Sequence, residues 1–455
     1  MQFSRKKKQL FIAVTDVFLL FLSVYLALFF RNLGHPEIPV LFPHMYAFLP
    51  IITAWLVCLY TAGLYSLEMP YTGYTTLSKI FVISGISALL GIALYYLNYR
   101  ARIVPKTILA LFSLFAFAFI SLWRWIFYRI SIKYFPGVNI AFIGINNTVI
   151  ELLHNIKNFS YMRYNVPFIF DDMYDDNECC GIPVIKANEE FISAITGNKI
   201  KVVVLAYEKN ISYFFQKILF ELMNKRVYFV NIPYFYETYL RRVPIDAVNE
   251  LWFLKNIDLS TKRLYQYVKR FVDIIMTVFL LLVSFPFWPF IILIIKLESP
   301  GPALFTQKRI GYLGKEFSII KFRSMKLSGN DYTPTDRQDP RVTGFGLFLR
   351  KSRIDEIPQL LNVLKGEMSF IGPRPERPEF VEELEQVVPF YRQRLLVKPG
   401  ISGWDQVSGE YHSPSREDTY KKLQYDLYYI KNMSLFLDIS IFFKTLVTIF
   451  SRAGV

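Results

Sequence analysis

The stretch Ser352–Gln359, which reads Ser-Arg-Ile-Asp-Glu-Ile-Pro-Gln, places two adjacent carboxylates where a helix should begin. Asp355 is predicted to cap this helix, and Pro358 falls in the first turn, where its missing N–H does no harm. Leucines follow at helical spacing, which predicts that the helix continues. The plain interpretation is structural: Asp355 caps the helix, and Glu356 favours the positive end of its dipole.

Cations beside the acidic pair allow a second, chemical interpretation. Arg350 and Arg353 precede the two carboxylates, and a helix N-terminus attracts phosphate. A carboxylate such as Asp355 can attack phosphorus there and form an acyl phosphate. A divalent cation would neutralise charge on the phosphoryl oxygens.

A predicted strand upstream carries two more cations. Phe317–Ser324 has the pattern of a strand, so Lys321 and Arg323 should lie on one face with Ile319. Two neighbouring cations can hold a diphosphate. The alternative is a solvated basic strand.

Two stiff loops downstream add an arginine, a lysine and an indole. Gly372–Pro375 reads Gly-Pro-Arg-Pro and presents Arg374 on a rigid turn, which suits a bidentate phosphate contact. Lys398–Trp404 is rich in glycine and can frame a nucleotide or a lipid headgroup. An ordinary turn is the alternative for this second loop.

Composition is typical of a membrane protein with soluble parts. Of the 455 residues, 53% are hydrophobic and 17% aromatic, which is too apolar for an ordinary soluble protein. The net charge of +15 is spread along the chain, so we expect no nucleic acid partner, and an anionic lipid surface and phosphorylated substrates fit better. Cys58, Cys179 and Cys180 show no disulfide or zinc-site spacing, which suits a reducing compartment.

Four apolar runs near the N-terminus each reach the roughly 20 residues that a membrane-spanning helix needs. They are about Leu10–Phe30, Tyr46–Tyr65, Leu77–Tyr99 and Ile108–Phe127. The basic cluster Arg5–Lys8 and the cations after the fourth run place both ends of the bundle in the cytoplasm. The basic loop Arg100–Lys106 disagrees with this orientation.

Residues 136–260 are predicted to form a Rossmann-like α/β domain without a cofactor, because short apolar strands alternate with helices. The predicted strands are Val138–Ile143, Val166–Phe170, Ile182–Ile185, Lys201–Leu205 and Val227–Asn231, and the helices Val149–Lys157, Glu189–Ile195 and Ser212–Asn224. The turn Gly144–Thr148 holds one glycine, whereas a dinucleotide fingerprint needs several. Ile232–Thr261 is expected to link this domain to the last one.

A fifth apolar run, Phe271–Leu297, is predicted to enter the membrane and leave by the same face. Pro286 and Pro289 interrupt it, and Ser284 can satisfy one freed carbonyl. A full crossing would place the rest of the chain outside the cell, away from nucleotide-activated substrates. The closing segment Leu435–Phe450 is predicted to be an amphipathic helix on the membrane surface.

Together these motifs resemble the bacterial sugar transferase family, the monotopic polyprenyl-phosphate phosphoglycosyltransferases. The resemblance covers about residues 269–455. It rests on Ser299–Pro302 (Ser-Pro-Gly-Pro), Lys321–Met325, Asp355–Gln359, Gly372–Pro375, Lys398–Ile401 and Tyr425–Ile430. The four leading spans and the Rossmann-like module look like the long-form members that initiate exopolysaccharide, capsule or O-antigen repeat units.

The resemblance implies a reaction and a set of residues. Asp355 would attack the β-phosphate of a UDP-sugar, release UMP and keep the sugar phosphate as an aspartyl ester, which undecaprenyl phosphate would then attack. Glu356, with Asp355, would hold Mg²⁺, and Lys321 would assist catalysis. The cations that would bind substrate phosphate are Arg323, Arg350, Arg353, Arg374 and Arg394.

The chain departs from the family pattern at three places. Phe285 separates Ser284 from Pro286, where the family has an adjacent Ser-Pro break in its re-entrant helix. Trp404 is followed by Asp405-Gln406 instead of Ala-Gln. Ser408-Gly409-Glu410 stands where many members carry Asn-Gly-Arg, so Arg394 or Arg416 is the candidate replacement for that arginine.

The resulting expectation is a membrane protein of three parts. Residues 1–135 form a four-helix transmembrane bundle, 136–260 the Rossmann-like domain, and 261–455 an α/β monotopic catalytic domain with a re-entrant helix at about 269–297. It would sit in the bacterial inner membrane with its catalytic domain facing the cytoplasm, as a possible homodimer. The alternatives are a membrane-anchored nucleotide-sugar dehydratase or epimerase and a non-catalytic polysaccharide-assembly scaffold.

Overall fold

A computed structural model of the chain divides into two compact units, Met1–Asn231 and Ile232–Val455. The structure describes residues 2–65, 74–97, 106–134, 137–158, 164–186, 191–206, 220–222, 227–258, 260–326, 339, 341–408 and 416–450.

Long apolar helices open the first unit: α1 (Gln2–Asn32), α2 (Ile38–Thr61), α3 (Tyr74–Leu97) and α4 (Lys106–Tyr134). Among the described residues, the stretches long and apolar enough to cross a membrane are Gln9–Asn32, Ile38–Tyr60, Thr107–Phe127 and, in the second unit, Arg263–Glu298. The first, second and fourth predicted spans are therefore confirmed as helices of sufficient length. The third corresponds to α3, whose apolar part, Lys79–Ala93, is shorter than a span requires.

A buried ion pair joins α1 to α4. Arg124 donates to both carboxylate oxygens of Asp16, at 3.0 and 2.6 Å, and neither side chain is exposed. A charged group inside an apolar bundle needs such a partner, because burying either charge alone is strongly unfavourable. The basic loop Arg100–Lys106, which disagrees with the predicted orientation, lies almost entirely outside the described residues.

The rest of the first unit is a mixed α/β sheet domain. Its described strands are β1 (Val138–Ile143), β2 (Tyr164–Asn165), β3 (Ile169–Phe170), β4 (Glu178–Cys179), β5 (Ile182–Ile185), β6 (Val202–Leu205) and β7 (Tyr228–Asn231). They pair in the order β4-β5-β3-β1-β6-β7, with β2 also on β1, and only the β4–β5 pair is antiparallel. Helix α5 (Asn147–Asn158) follows β1 in the chain, and α6 (Phe191–Gly197) follows β5.

Most strands lie where the pattern predicts them, with one correction. The predicted strand Val166–Phe170 is confirmed only at its end, where β3 covers Ile169 and Phe170; β2 ends at Asn165, just before it, and Pro167 has no N–H for a ladder bond. The predicted helix Ser212–Asn224 lies mostly outside the described residues. In the turn after β1, Ile145 N donates to the Asp171 carboxylate at 2.6 Å.

The second unit begins earlier than the predicted boundary. Ile232–Thr261, expected to link two domains, forms α7 (Ile232–Leu240) and α8 (Glu250–Asn256) of this unit. Its Val243 and Phe253 share a core cluster with Leu427 on α14 (Arg416–Asn432). Such scattered apolar residues do not reveal which neighbour they pack against, and the predicted division into three domains stays a prediction.

The fifth apolar run forms a broken helix. α9 (Arg263–Ser284) ends in a 3-10 turn, Phe285–Phe287, and α10 (Trp288–Glu298) follows. Pro286 lies in that turn and Pro289 at the start of α10, so both prolines stand where the predicted break occurs. Ser284 Oγ donates to the Leu281 carbonyl at 3.4 Å, but Phe285 N also donates to that carbonyl, so it is not one that a proline has freed.

Residues at both ends of this broken helix contact the same small domain. Arg270 on α9 donates to the Val363 carbonyl, and the adjacent Asn362 side chain accepts from Ile320 N at 3.2 Å. Just beyond α10, the Ser299 carbonyl accepts from Arg323. A straight helix would separate Arg270 from Ser299 by about 43 Å, whereas Ile320 and Arg323 stand about 10 Å apart along the chain. The helix is therefore not straight through its break, and a re-entrant course through the membrane stays a prediction.

Short elements fill the remainder of the second unit. They are β8 (Leu304–Ile310), β9 (Glu316–Phe322), α11 (Gly344–Lys351), α12 (Leu360–Lys365), β10 (Ser369–Ile371), α13 (Pro378–Val387), β11 (Gly400–Ser402) and α15 (Leu435–Phe450). β8 and β9 form an antiparallel hairpin, and β10 pairs with β11 in parallel.

The closing helix α15 exposes apolar side chains. Ile441 is buried, whereas Leu435, Phe436 and Ile439 are exposed. Asp438 joins the buried side to the start of α9, where it accepts from Tyr265 at 2.7 Å and from Lys269 at 2.8 Å. Its placement on a membrane surface stays a prediction.

Two glycines let two loops cross in direct backbone contact. Gly372 N donates to Ser402 O at 2.9 Å, and Gly400 N donates to Pro373 O at 3.0 Å. A Cβ on Gly400 would overlap the backbone of Gly372, and one on Gly372 would overlap the Lys398 carbonyl. The Gly-Pro-Arg-Pro and Lys-Pro-Gly motifs are thus two sides of one close contact.

Gly400→Ala is expected to destabilise the fold by about 2–3 kcal/mol or to prevent folding, because backbone on the opposite side cannot move away from the new methyl group. Thermal unfolding in detergent measures this change. Gly197→Ala is the control, since no atom lies within 4 Å of its added Cβ. Equal midpoints for the two variants would contradict the close-contact explanation.

Candidate functional site

Asp355 and Glu356 lie in a 3-10 helix, Ile354–Gln359, that leads into α12. Arg353 occupies the capping position with a left-handed backbone, φ 55°, and no side chain provides a capping hydrogen bond. The prediction that Asp355 caps the helix is therefore wrong. Because Arg353 turns the chain between α11 and the new helix, both carboxylates fall inside the first turn instead of before it.

Three cations converge on Glu356. Its Oε1 accepts from Lys321 Nζ at 3.0 Å and from Arg374 Nη2 at 3.1 Å, and Arg353 Nη1 lies 3.7 Å from Oε2. Burial opposes the ionisation of this carboxyl, but the nearby cations outweigh burial and hold its pKa well below the usual range. Glu356 is consequently ionised at physiological pH and connects a strand, a helix and a loop.

The neighbouring Asp355 is just as buried, at 8% exposure, but it makes no side-chain hydrogen bond or ion pair with any residue that the structure describes. Burial, together with the negative charge of Glu356, raises the pKa of Asp355 to about 6, against the opposing charges of Lys321, Arg350 and Arg374. At neutral pH the carboxylate is mostly ionised, and its lone pairs are not used by those residues.

Cations surround this carboxylate without pairing to it. Arg350 on α11 donates through Nε to Ser324 Oγ at 2.9 Å, and it forms no ion pair with an acid among the residues described. The side chains of Arg353 and Arg374 are 30% and 40% exposed, respectively. The structure therefore brings together Lys321, Arg350, Arg353 and Arg374 around the acidic pair, as the sequence predicts.

Arg323 does not share the position predicted for it. β9 ends at Phe322, so the alternation that would place Arg323 beside Lys321 stops one residue earlier. The Arg323 guanidinium instead donates to the carbonyls of Pro300 and Ser299, at 2.8 and 2.7 Å, and is buried. It fixes the Ser-Pro-Gly-Pro turn after α10.

Arg394 is likewise engaged inside the protein. It pairs with Asp426 at 2.8 Å, and the two side chains are 6% and 1% exposed. The Nη2 atom that forms this pair also donates to the Arg374 carbonyl at 2.8 Å, and Nη1 donates to the Tyr391 hydroxyl. Arg394 thus supports the backbone of Arg374, and its partner Asp426 was missed because no local spacing links the two.

Trp404 is a core residue and not a surface platform. Its indole N–H donates to the Arg241 carbonyl at 3.1 Å, and its ring stacks on Tyr428. The interpretation of Lys398–Trp404 as a frame for a nucleotide is therefore wrong for the indole, which is buried by helices that follow in sequence. Lys398 lies near Arg270, beside Gly366 at the end of α12.

Cations at the start of α9 hold two helix ends, a role that the sequence did not reveal. Arg270 donates to the carbonyls of Val363 and Leu364 in the last turn of α12, at 2.5 and 2.8 Å. Lys262 donates to two carbonyls in the last turn of α14, at 3.2 and 2.5 Å. Both satisfy carbonyls that a helix leaves without partners.

Comparison with known proteins finds similarity over the second unit. The model of the bacterial sugar transferase family matches residues 264–452. The UDP-N-acetylgalactosamine-undecaprenyl-phosphate N-acetylgalactosaminephosphotransferase of Aeromonas hydrophila is 44% identical over 220 residues, 48% of this chain and 51% of that protein.

Two further relatives extend the comparison. The UDP-glucose:undecaprenyl-phosphate glucose-1-phosphate transferase of Xanthomonas campestris pv. campestris is 30% identical over 322 residues, 69% of this chain and 66% of that protein. The exopolysaccharide production protein PSS of Rhizobium leguminosarum bv. phaseoli is 40% identical over 192 residues, 41% of this chain and 96% of that protein. The chain thus spans about half to two thirds of the length of the larger relatives and nearly all of the short one.

Asp355→Asn is expected to leave the fold intact and to raise its stability at pH 8. The folded pKa of Asp355, about 6, exceeds the ordinary 3.8, so the folded chain holds this proton more tightly than the unfolded chain does. The contribution of Asp355 to the free energy of unfolding of wild type therefore falls as pH rises from about 4 to about 6, and it is constant above pH 6. The free energy of unfolding of the variant should exceed that of wild type by up to about 3 kcal/mol.

Thermal unfolding midpoints at pH 5 and pH 8 measure this gain, which should be larger at pH 8. Asp175→Asn, at an exposed acid, is the matched control and should change neither midpoint. A variant of Asp355 that unfolds at a lower temperature than wild type at pH 8 would show that the carboxylate stabilises the fold.

Proposed function

This chain belongs to the bacterial sugar transferase family, and we propose that it transfers a sugar-1-phosphate from a UDP-sugar to undecaprenyl phosphate, releasing UMP. Its product, an undecaprenyl-diphospho-sugar, would begin a repeat unit of an exopolysaccharide, a capsule or an O-antigen. The names of two relatives support this class of reaction: the Aeromonas protein is named as an N-acetylgalactosaminephosphotransferase and the Xanthomonas protein as a glucose-1-phosphate transferase, each with a UDP-sugar and undecaprenyl phosphate.

The observation that carries the proposal is the contrast between two adjacent buried carboxylates. Glu356 is held by Lys321 and Arg374, whereas Asp355 has no such partner among the described residues. A nucleophile needs an ionised group with accessible lone pairs, and the raised pKa of Asp355, about 6, keeps it ionised at neutral pH yet more basic than an ordinary aspartate.

In the proposed first step, an Asp355 carboxylate oxygen forms a bond to the β-phosphorus of the UDP-sugar. The bond from that phosphorus to the bridging oxygen breaks, and UMP leaves with the electron pair. In the second step, a phosphate oxygen of undecaprenyl phosphate attacks the same phosphorus, and the bond to Asp355 breaks. The carboxylate is regenerated, so two displacements replace one difficult encounter between two anions.

The surrounding cations suit the charge that these steps develop. Arg353 and Arg374 are partly exposed and can turn from Glu356 toward a diphosphate, while Arg350 already stands near Asp355. Planar guanidinium groups bind phosphate oxygens in pairs, and fixed cations stabilise a phosphoryl transition state. We propose Arg323 and Arg394 as supports of this cluster instead of direct phosphate ligands, because their donors bind internal carbonyls.

Mg²⁺ fits the donor set of this site. Mg²⁺ in phosphoryl-transfer sites is commonly bound by one or two carboxylates, with substrate phosphates and water completing the shell. Asp355 and the Oε2 side of Glu356 are the carboxylate oxygens that would hold it, since Oε1 of Glu356 already accepts two hydrogen bonds. When bound, the ion would neutralise charge on the phosphoryl oxygens.

The membrane arrangement belongs to the same proposal. The break between α9 and α10, and the contacts of both helix ends with one domain, support a re-entrant helix at about 269–297. The exposed apolar side of α15 supports contact with membrane lipid. At the bacterial inner membrane, the catalytic domain would then face the cytoplasm, the compartment that holds UDP-sugars. The parallel strand order β5-β3-β1-β6-β7 supports a Rossmann-like module, which we propose as the surface of a homodimer.

Purified protein with Mg²⁺ and undecaprenyl phosphate is expected to release UMP from one member of a panel of UDP-sugars. Asp355→Asn should lower this rate at least about 10³-fold, because an amide cannot form the acyl phosphate. A rapid quench should place the sugar phosphate on the peptide that contains Asp355 in wild type only.

Asp175→Asn is the control and should keep full activity. Release of UDP would indicate direct glycosyl transfer, and full activity of Asp355→Asn would remove the covalent step. Absence of nucleotide release with every UDP-sugar would favour the scaffold interpretation, and bound NAD in the purified protein would favour the dehydratase or epimerase.

Single cysteines at the two ends of the broken helix test the re-entrant arrangement. Leu264 and Leu297 are each 77% exposed, so Leu264→Cys and Leu297→Cys form a matched pair in a background without the three native cysteines. An impermeant thiol reagent added outside intact cells should label neither, and both should react after permeabilisation. Labelling of Leu297→Cys alone from outside would show a full crossing.

A further inference from the structure

Two adjacent thiols and an imidazole meet in the sheet domain of the first unit. Cys179 Sγ lies 3.9 Å from Cys180 Sγ, which in turn lies 3.9 Å from His154 Nε2 on α5. Lys157 Nζ and Glu178 Oε1 flank the same turn. Spacing along the chain gave no sign of this cluster, because His154 approaches the cysteines only through the pairing of the sheet.

Cys180 occupies a backbone position that does not favour cysteine. Cys180 and Gly181 form the two-residue turn between β4 and β5, where Cys179 pairs with Ile182. Their φ angles are 55° and 78°, the signs of a type I′ turn, which normally takes asparagine, aspartate or glycine. Cys180 is thus a reactive residue in a strained backbone conformation beside a histidine. Strain of this kind is found at functional sites, which suggests a function for its thiol.

We propose that Cys179 and Cys180 are a site of reversible oxidation by hydroperoxides. The Cys180 sulfur would attack the terminal oxygen of the hydroperoxide, forming an S–O bond and breaking the O–O bond, and His154 would pass the thiol proton to the departing alcohol or water. The Cys179 thiol then attacks the Cys180 sulfur. An S–S bond forms, and the sulfenic oxygen leaves as water.

The electrons and atoms balance in this sequence. Two thiols lose two electrons and two hydrogens, and the hydroperoxide is reduced to an alcohol, or to water in the case of hydrogen peroxide, plus one water. Cys180 is the first to react because it is half-exposed, whereas Cys179 is buried. Burial, reinforced by the neighbouring Cys180, raises the pKa of Cys179, which suits a resolving thiol.

Covalent chemistry suits this cluster better than a metal ion does. Among the described residues, no group of three His, Cys, Asp or Glu side chains has the geometry to hold a metal. Adjacent Cα atoms lie 3.8 Å apart, closer than the 4.4–6.8 Å usual for disulfides, so the ring would be strained and readily reduced. Ring closure must alter the turn, and β5 would carry the change to β3, its parallel neighbour.

The test uses the full chain in lipid nanodiscs, titrated with hydrogen peroxide and mapped by peptide mass. The peptide that contains Cys179 and Cys180 should lose two hydrogens and regain them with dithiothreitol. Cys179→Ser should stop at a sulfenic acid on Cys180, which dimedone traps. His154→Gln should slow oxidation of Cys180 about tenfold, with the circular dichroism spectrum unchanged.

Cys58, buried in α2, is the internal reference, and Cys58→Ser should oxidise at the turn like wild type. Oxidation of Cys58 at the same rate as Cys180, or an unchanged rate in His154→Gln that keeps its fold, would overturn the proposal. So would protection of both thiols by one equivalent of Zn²⁺ in wild type but not in His154→Gln, since that pattern marks a metal site.

Discussion

The attraction between one buried carboxylate and the cations around it organises the second unit. Glu356 holds Lys321 of a strand and Arg374 of a loop, which are distant in sequence, and Arg353 of the turn three residues before it. A buried charge without partners is strongly unfavourable, so this convergence constrains all three segments. It also explains why Asp355 can stay unpaired among the described residues, because Lys321, Arg353 and Arg374 pair with its neighbour Glu356. The positive charge of the nearby cations favours the ionised form of Asp355.

A layer of backbone contacts keeps these cations in place. The loop that carries Arg374 rests on Gly400 through Gly372, and Arg394 holds the Arg374 carbonyl while paired with Asp426. The position of the guanidinium is thus set by main chain as well as by charge. Preorganisation of this kind matters for phosphoryl chemistry, since a donor that is already fixed need not reorganise when charge develops.

Sequence reasoning located the acidic pair and most of its cations because these stand in short, distinctive stretches. It also found the broken helix, because two prolines interrupt one apolar run. It failed where a side chain's partner is distant in sequence or where an element ends one residue early. Arg323 turns away because β9 stops at Phe322, Arg394 meets Asp426 from another helix, and Trp404 is covered by Tyr428. The packing of Val243 and Phe253 against Leu427 could not be predicted for the same reason: local pattern shows that residues are apolar but not what they pack against.

The way in which Arg270 and Lys262 hold α12 and α14 has an evolutionary consequence. Both cations bind carbonyl oxygens, which every amino acid provides, and neither reads the side chains at those helix ends. Substitutions in the last turns of the two helices can therefore accumulate without loss of the hydrogen bonds from Arg270 and Lys262. The two cations cannot be replaced in the same way, because the hydrogen bonds need their donors. Among homologues, the residues at the two helix ends should therefore vary while the basic residues that bind them stay invariant.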